Sequence, residues 1–291
     1  MQPMSFERLL VGIDLSVESA VALEQARALL TPGGELHLVH VVDSSVFGPL
    51  LSARFSSGRY RADLVRETRP RLEAFAREHP GSTAESLEVR TGAVVDELLA
   101  AALETSAGAI VVGAHAKSTV ARLLLGSVPE ELARRSTLPV VVTHGSVGRD
   151  EHPGRVIAAV DFSTESLEAV RVGWQISRRL GQPLEVVHVL DPERPRAASG
   201  LESLVAMAIG PERVNVSLCV GAPAAEILRD VTARDVIICG THRWGALDRV
   251  IHGSASTELL RQAPGTVVVA GTGPVPVAAA ERRVTAAGDG A

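Results

Sequence analysis

The chain has 291 residues, 46% hydrophobic and 3% aromatic, and 29 Lys and Arg against 34 Asp and Glu give a formal charge of −5. That balance offers no basic surface to neutralise a run of phosphates, and so few aromatics leave no stacking platform for single-stranded bases, so nucleic acid is not expected as a partner. The core must be built from Val, Leu, Ile and Ala, which suits helices on a parallel sheet, and no apolar run approaches the roughly 20 residues of a membrane span.

The first predicted element is a strand, RLLVG from Arg8, ending just before Asp14. Glu7 and Arg8 stand where a signal peptide needs its apolar stretch, so a cytoplasmic protein is expected. Ser16 and Glu18 then open a helix-period segment, serine as N-cap and glutamate at the positive end of the helix dipole. ELHLVHVVD from Glu35 is a second strand, carrying His40. Ser44 to Tyr60, with Phe47, Arg54, Phe55, Arg59 and Tyr60, reads as a long loop, either a lid or a plain insertion. LEVRTGAVVDELLAAA from Leu87 is a strand, a glycine and a helix, and AIVVG from Ala109 is the fourth strand. Gly113-Ala-His-Ala116 follows it, then nine residues, then Gly126-Ser127 at the start of another helix, and LPVVVTH closes the series.

After a linker at Asp150 to Gly154 the series starts again. RVIAAVDFSTESLEAV from Arg155 sets Asp161, Ser163 and Glu165 where Asp14, Ser16 and Glu18 stood. PLEVVHVLD repeats the second strand with His188 in place of His40, VSLCVGAPAAEILRDV the third, and VIICGTH the fourth, with Gly240 and later Gly253-Ser254. GTVVVAG closes the copy. The chain is therefore two copies of one domain, 1–149 and 154–271, the second shorter in its middle, with a disordered tail expected over 272–291.

Strands alternating with helices predict a doubly wound α/β domain with a parallel sheet, and ligands of such sheets sit at the carboxyl ends of the strands, where strand order reverses. The two aspartates land on that rim, and so does the Gly-containing segment after strand four. Glycines let backbone approach a ligand and a helix N-terminus offers free N–H groups to an anion, which describes a phosphate cradle. The competing reading is a capping box of Ser127 with Glu130, which leaves the recurrence at Gly240 and Gly253-Ser254 unexplained. His115 and His242 are equivalent loop residues, His40 and His188 equivalent strand residues, and none has metal-ligand spacing. Cys219 and Cys239 form no C-x-x-C pair and read as small buried hydrophobes. No Walker A, G-x-S-x-G or H-E-x-x-H sequence occurs, so no enzyme is expected.

From about Phe6 to Gly271, apart from the variable middle segments, these residues resemble a tandem of two universal stress protein domains. The family's signature is Gly, two residues, Gly, nine residues, then Gly with Ser or Thr, and members that bind ATP hold its phosphates there. They also set an aspartate after strand one near the adenosine and use the backbone of the valine in V-H-V-V for the adenine. The resemblance implies one site from Asp14, Val41, Gly113, Gly126 and Ser127 and another from Asp161, Val189, Gly240, Gly253 and Ser254. The pattern departs at the second glycine, where Ala116 and Arg243 stand; Lys117 is a candidate phosphate contact, and Arg243 either obstructs the phosphates or pairs with them. The implied strand order is 3-2-1-4-5 in each half, with Cys219 and Cys239 on strands separated by two others. The halves are expected to pair through their closing strands, Leu138 to His144 and Gly265 to Ala270, as a pseudo-dimer within the chain. The implied function is a stress-response regulator binding ATP or a related adenine nucleotide, mainly in the first half. The other reading is an interaction module acting through protein partners without nucleotide. Whether Mg accompanies the nucleotide, and whether the chain pairs again as a homodimer, the sequence leaves open.

Overall fold

The computed structural model describes residues 6–43, 58–81, 84–114, 127–144, 154–190, 200–240 and 255–271. The first half runs β1 (Arg8–Gly12), α1 (Val17–Leu29), β2 (Glu35–Asp43), α2 (Gly58–Glu78), β3 (Ala84–Gly92), α3 (Val94–Glu104), β4 (Ala109–Gly113), α4 (Ser127–Arg135) and β5 (Val140–Thr143). The second runs β6 (Val156–Val160), α5 (Thr164–Leu180), β7 (Leu184–Leu190), α6 (Leu201–Ile209), β8 (Asn215–Val220), α7 (Pro223–Leu228), β9 (Val236–Gly240), α8 (Ala255–Gln262) and β10 (Thr266–Ala270). Gly58, Arg59 and Tyr60, assigned to a loop on sequence grounds, begin α2 instead, while 44–57, 150–153 and 272–291 lie outside the described residues.

The central strands carry apolar residues at consecutive positions because helices cover both faces. All pairs within a half are parallel, in the order β3-β2-β1-β4-β5 and β8-β7-β6-β9-β10, which is the 3-2-1-4-5 order expected. The closing strands β5 and β10 then pair antiparallel, Val142 opposite Val267, Val141 opposite Val268 and Val140 opposite Val269, so the two sheets become one of ten strands. Cys219 on β8 and Cys239 on β9, separated by β6 and β7, are both free.

Each face of this sheet has one core that spans both halves. Val141 and Val268 point to the face covered by α1, α2, α5 and α6, whereas Val140, Val142, Val267 and Val269 point to the face covered by α3, α4, α7 and α8. Burying each such side chain contributes about 1.5–3 kcal/mol, so these fully or almost fully buried valines weld the halves far more firmly than the polar contacts beside them. Those contacts are the Arg261–Glu130 fork between α8 and α4, with Nε to Oε1 at 2.6 Å, and Arg179 Nε donating to the Leu30 carbonyl at 2.6 Å. His144, just past β5, reaches the carbonyls of Gly265 at 3.0 Å and Leu260 at 2.8 Å.

The halves differ in their middles. α2 is 21 residues long and packs over β3, burying Leu72 and Phe75, whereas α6 has nine residues and packs on α5. α5 is stopped by Gly181, whose φ of +65° favours glycine and closes the helix with its N–H on the Ser177 carbonyl.

Candidate functional site

Strand order reverses at β1 in the first half, between β2 and β4, and at β6 in the second, between β7 and β9. At the first of these points the chain leaves β1 through Ile13, whose N–H donates to the Val39 carbonyl at 2.9 Å, and reaches the exposed Asp14. Leu15 then takes a φ of +65°, a left-handed conformation that costs a non-glycine residue about 1–2 kcal/mol. The turn delivers Ser16 as N-cap of α1, its side chain accepting the Ser19 N–H, with Glu18 in the first turn. Asp14 Oδ1 accepts the Ser16 N–H at 3.1 Å and the Ser16 hydroxyl.

The second half repeats this construction. Phe162 has a φ of +64°, Ser163 caps α5, and Asp161 Oδ1 accepts the Ser163 N–H at 3.1 Å and the Ser166 hydroxyl at 2.7 Å. Non-glycine strain at the same rim position in both copies was not legible in sequence, because neither leucine nor phenylalanine signals a left-handed turn. The paired histidines brace it from below. His40 Nδ1–H donates to the Ile13 carbonyl at 2.7 Å and His188 Nδ1–H to the Val160 carbonyl at 2.7 Å, so each holds the strand end that carries the aspartate. The ring of Phe162 meets that of His188 edge to face at 4.5 Å.

Because β1 pairs with both β2 and β4, Asp14 stands between Val41, near the end of β2, and Gly113, the last residue of β4. β6 likewise brings Asp161 between Val189 on β7 and Gly240 on β9. Ser127 opens α4 as expected, and the positive end of that helix dipole lies at its first turn. Ala116, Lys117, Gly126, Arg243, Gly253 and Ser254, with His115 and His242, lie outside the described residues.

Two features of the sequence gain structural partners here. A Cβ on Gly113 would lie 2.7 Å from the Glu18 backbone, and one on Gly240 would lie 2.8 Å from Glu165 Cβ. The recurring glycine therefore lets the first turn of α1 or α5 sit on the end of the adjacent strand, a packing reason distinct from ligand approach. Glu130, which the competing reading makes a capping partner of Ser127, sends its carboxylate to Arg261 across the seam between the halves. Among the described residues no group of three His, Cys, Asp or Glu is placed to hold a metal ion, and no helix is long and apolar enough to cross a membrane.

A duplicated, doubly wound domain whose strand order reverses at β1 and again at β6 defines a class of fold, and the comparisons with known proteins give the same class. The model of the universal stress protein family matches residues 5–144 and 201–271. A universal stress protein of Mycobacterium tuberculosis is 28% identical over 291 aligned residues, covering 92% of this chain and 98% of its own. One of Mycolicibacterium smegmatis is 25% identical over 284, covering 90% and 96%. The crystal structure of a universal stress protein from Archaeoglobus fulgidus covers 94% of this chain and 100% of its own at a TM-score of 0.71, with 21% identity. This chain belongs to the universal stress protein family.

Proposed function

We propose that the protein is a cytoplasmic stress-response regulator that binds an adenine nucleotide, ATP foremost, at the rim of its first half, and that it acts by binding and not by catalysis. The observation that supports this reading is the switch point itself: β1, which Asp14 follows, pairs on one side with β2, which carries Val41, and on the other with β4, which ends at Gly113, and doubly wound sheets hold ligands at such points. The donor set fits the ligand. A carboxylate such as Asp14 accepts from ribose hydroxyls, the strand backbone at Val41 can meet an adenine edge, and the N-terminus of α4 suits phosphate. The first half is favoured because alanine at position 116 adds one methyl group, whereas arginine at 243 adds a long cation.

A second reading, an interaction module that works through protein partners without nucleotide, has one observation in its favour. Asp14 and Asp161 are both engaged by their own turns, and Gly113 and Gly240 both serve helix packing, so the described rim has a structural reason without a ligand.

Titration calorimetry of ATP into the full chain separates the two. The expected result is one strong site per chain, weakened roughly tenfold or more by Asp14→Ala and left unchanged by Asp161→Ala. Absence of ATP binding at millimolar concentration would leave the interaction module as the surviving reading.

A further inference from the structure

The ten-stranded sheet has two outer edges, and they are built differently. β3 is charged and guarded. Glu85 accepts from Arg27 Nε at 3.0 Å, and Arg90 bridges Glu88 at 2.8 Å, Glu97 at 3.4 Å and Glu104. α2 closes over the same strand. β8 reads Asn-Val-Ser-Leu-Cys-Val, with no charge and no proline, and Val216, Leu218 and Val220 are 39%, 48% and 61% exposed. In register these three stand beside Val186, His188 and Leu190 of β7, on the face that α2 covers in the first half. Among the described residues nothing pairs with the outer side of β8. A neutral, apolar, unguarded edge is a template for another strand.

We propose that β8 is where a second copy of this chain docks, β8 antiparallel to β8 about a twofold axis, extending the sheet from one molecule into the next. Three observations select a second copy as the occupant. The strand complements itself. With Leu218 on the axis it faces the partner's Leu218, and Val216 faces the partner's Val220, so every exposed apolar side chain gains an apolar neighbour about 5 Å away and no like charges oppose. The chain already uses this mode, since β5 and β10 join its halves by the same antiparallel extension. The resulting assembly also closes, because both edges left on the dimer are β3, whose ion pairs and covering helix oppose further addition.

Sedimentation of the full chain across the micromolar range tests this, with hydrogen exchange read at the same concentrations. The expected result is a reversible dimer in which β8 amides exchange more slowly as dimer forms. Leu218→Lys, at an exposed position, sets two ammonium groups against each other and should raise the dissociation midpoint at least about tenfold, with high salt restoring part of it. Val220→Lys is the second variant, should Leu218→Lys fail to fold by circular dichroism. Leu218→Cys in a Cys219→Ser background should form an intermolecular disulfide on oxidation, the remaining Cys239 being buried with its thiol pushed up to about 12. A chain that stays monomeric throughout, a dimer that neither lysine variant weakens, or a dimer whose β8 amides remain unprotected would overturn the proposal.

Discussion

Asp14 holds its own turn through Ser16 and, in the function proposed, also faces the nucleotide, so Asp14→Ala should act twice. Beyond the loss of affinity, it should lower stability by about 1 kcal/mol, the usual cost of losing a cap-type hydrogen bond, measured as a shift in urea midpoint without nucleotide. Gly113 offers a cleaner test of packing. Gly113→Ala and Gly240→Ala each force a methyl group into the first turn of the neighbouring helix, and each should destabilise by about 1–3 kcal/mol in the same assay. An unchanged midpoint in both would mean that α1 and α5 yield at no cost, and would return the recurring glycine to the ligand as its explanation.

At the scale of elements, Asp235 shows how a buried carboxylate ties β6 and β9 together. It is 3% exposed and accepts the Arg155 N–H at 2.7 Å, the Thr232 N–H at 2.9 Å and the Arg155 guanidinium at 3.2 Å. Burial pushes its carboxyl up, but the two amides and the guanidinium more than offset that and hold it below the ordinary carboxylate range. Its contribution is therefore complete above the unfolded value near about 4 and lost as pH falls through the folded one. Asp235→Asn should cost about 1–3 kcal/mol at neutral pH, and the gap from wild type should narrow in acid. The central strands were legible because unbroken Val and Ile runs have one good explanation, and Ser16 and Ser163 because capping is local chemistry. Strand order was not in the periodicity at all and came from the family resemblance, whereas the pairing of β5 with β10 followed from that resemblance together with the need of a β-branched edge strand for cover. The start of α2 was missed because Ser56-Ser57-Gly58 looks like loop. The contact of Glu130 with Arg261 was not legible because the two stand 131 residues apart and only tertiary structure brings them near.

For the whole molecule, the seam between the halves carries a proton-sensitive group. Burial pushes the His144 imidazole down, against the carbonyls of Leu260, Gly265 and Val142, which raise it. A histidine held below its unfolded value stabilises fully above about pH 6.5 and loses that contribution as pH falls, because the unfolded chain takes up the proton first. Thermal unfolding of wild type and His144→Gln should differ most above neutrality and converge on acidification; a gap that widens in acid would reverse the assigned direction. The antiparallel seam of β5 and β10 has one more effect. Since both closing strands belong to a single polypeptide, their encounter is set by an effective concentration fixed by the tether, and dilution cannot separate them. In a pair of identical chains any change at one rim appears at the other as well. Here the two rims are encoded separately, so a substitution at Asp14 or Gly113 leaves Asp161 and Gly240 of the other rim untouched.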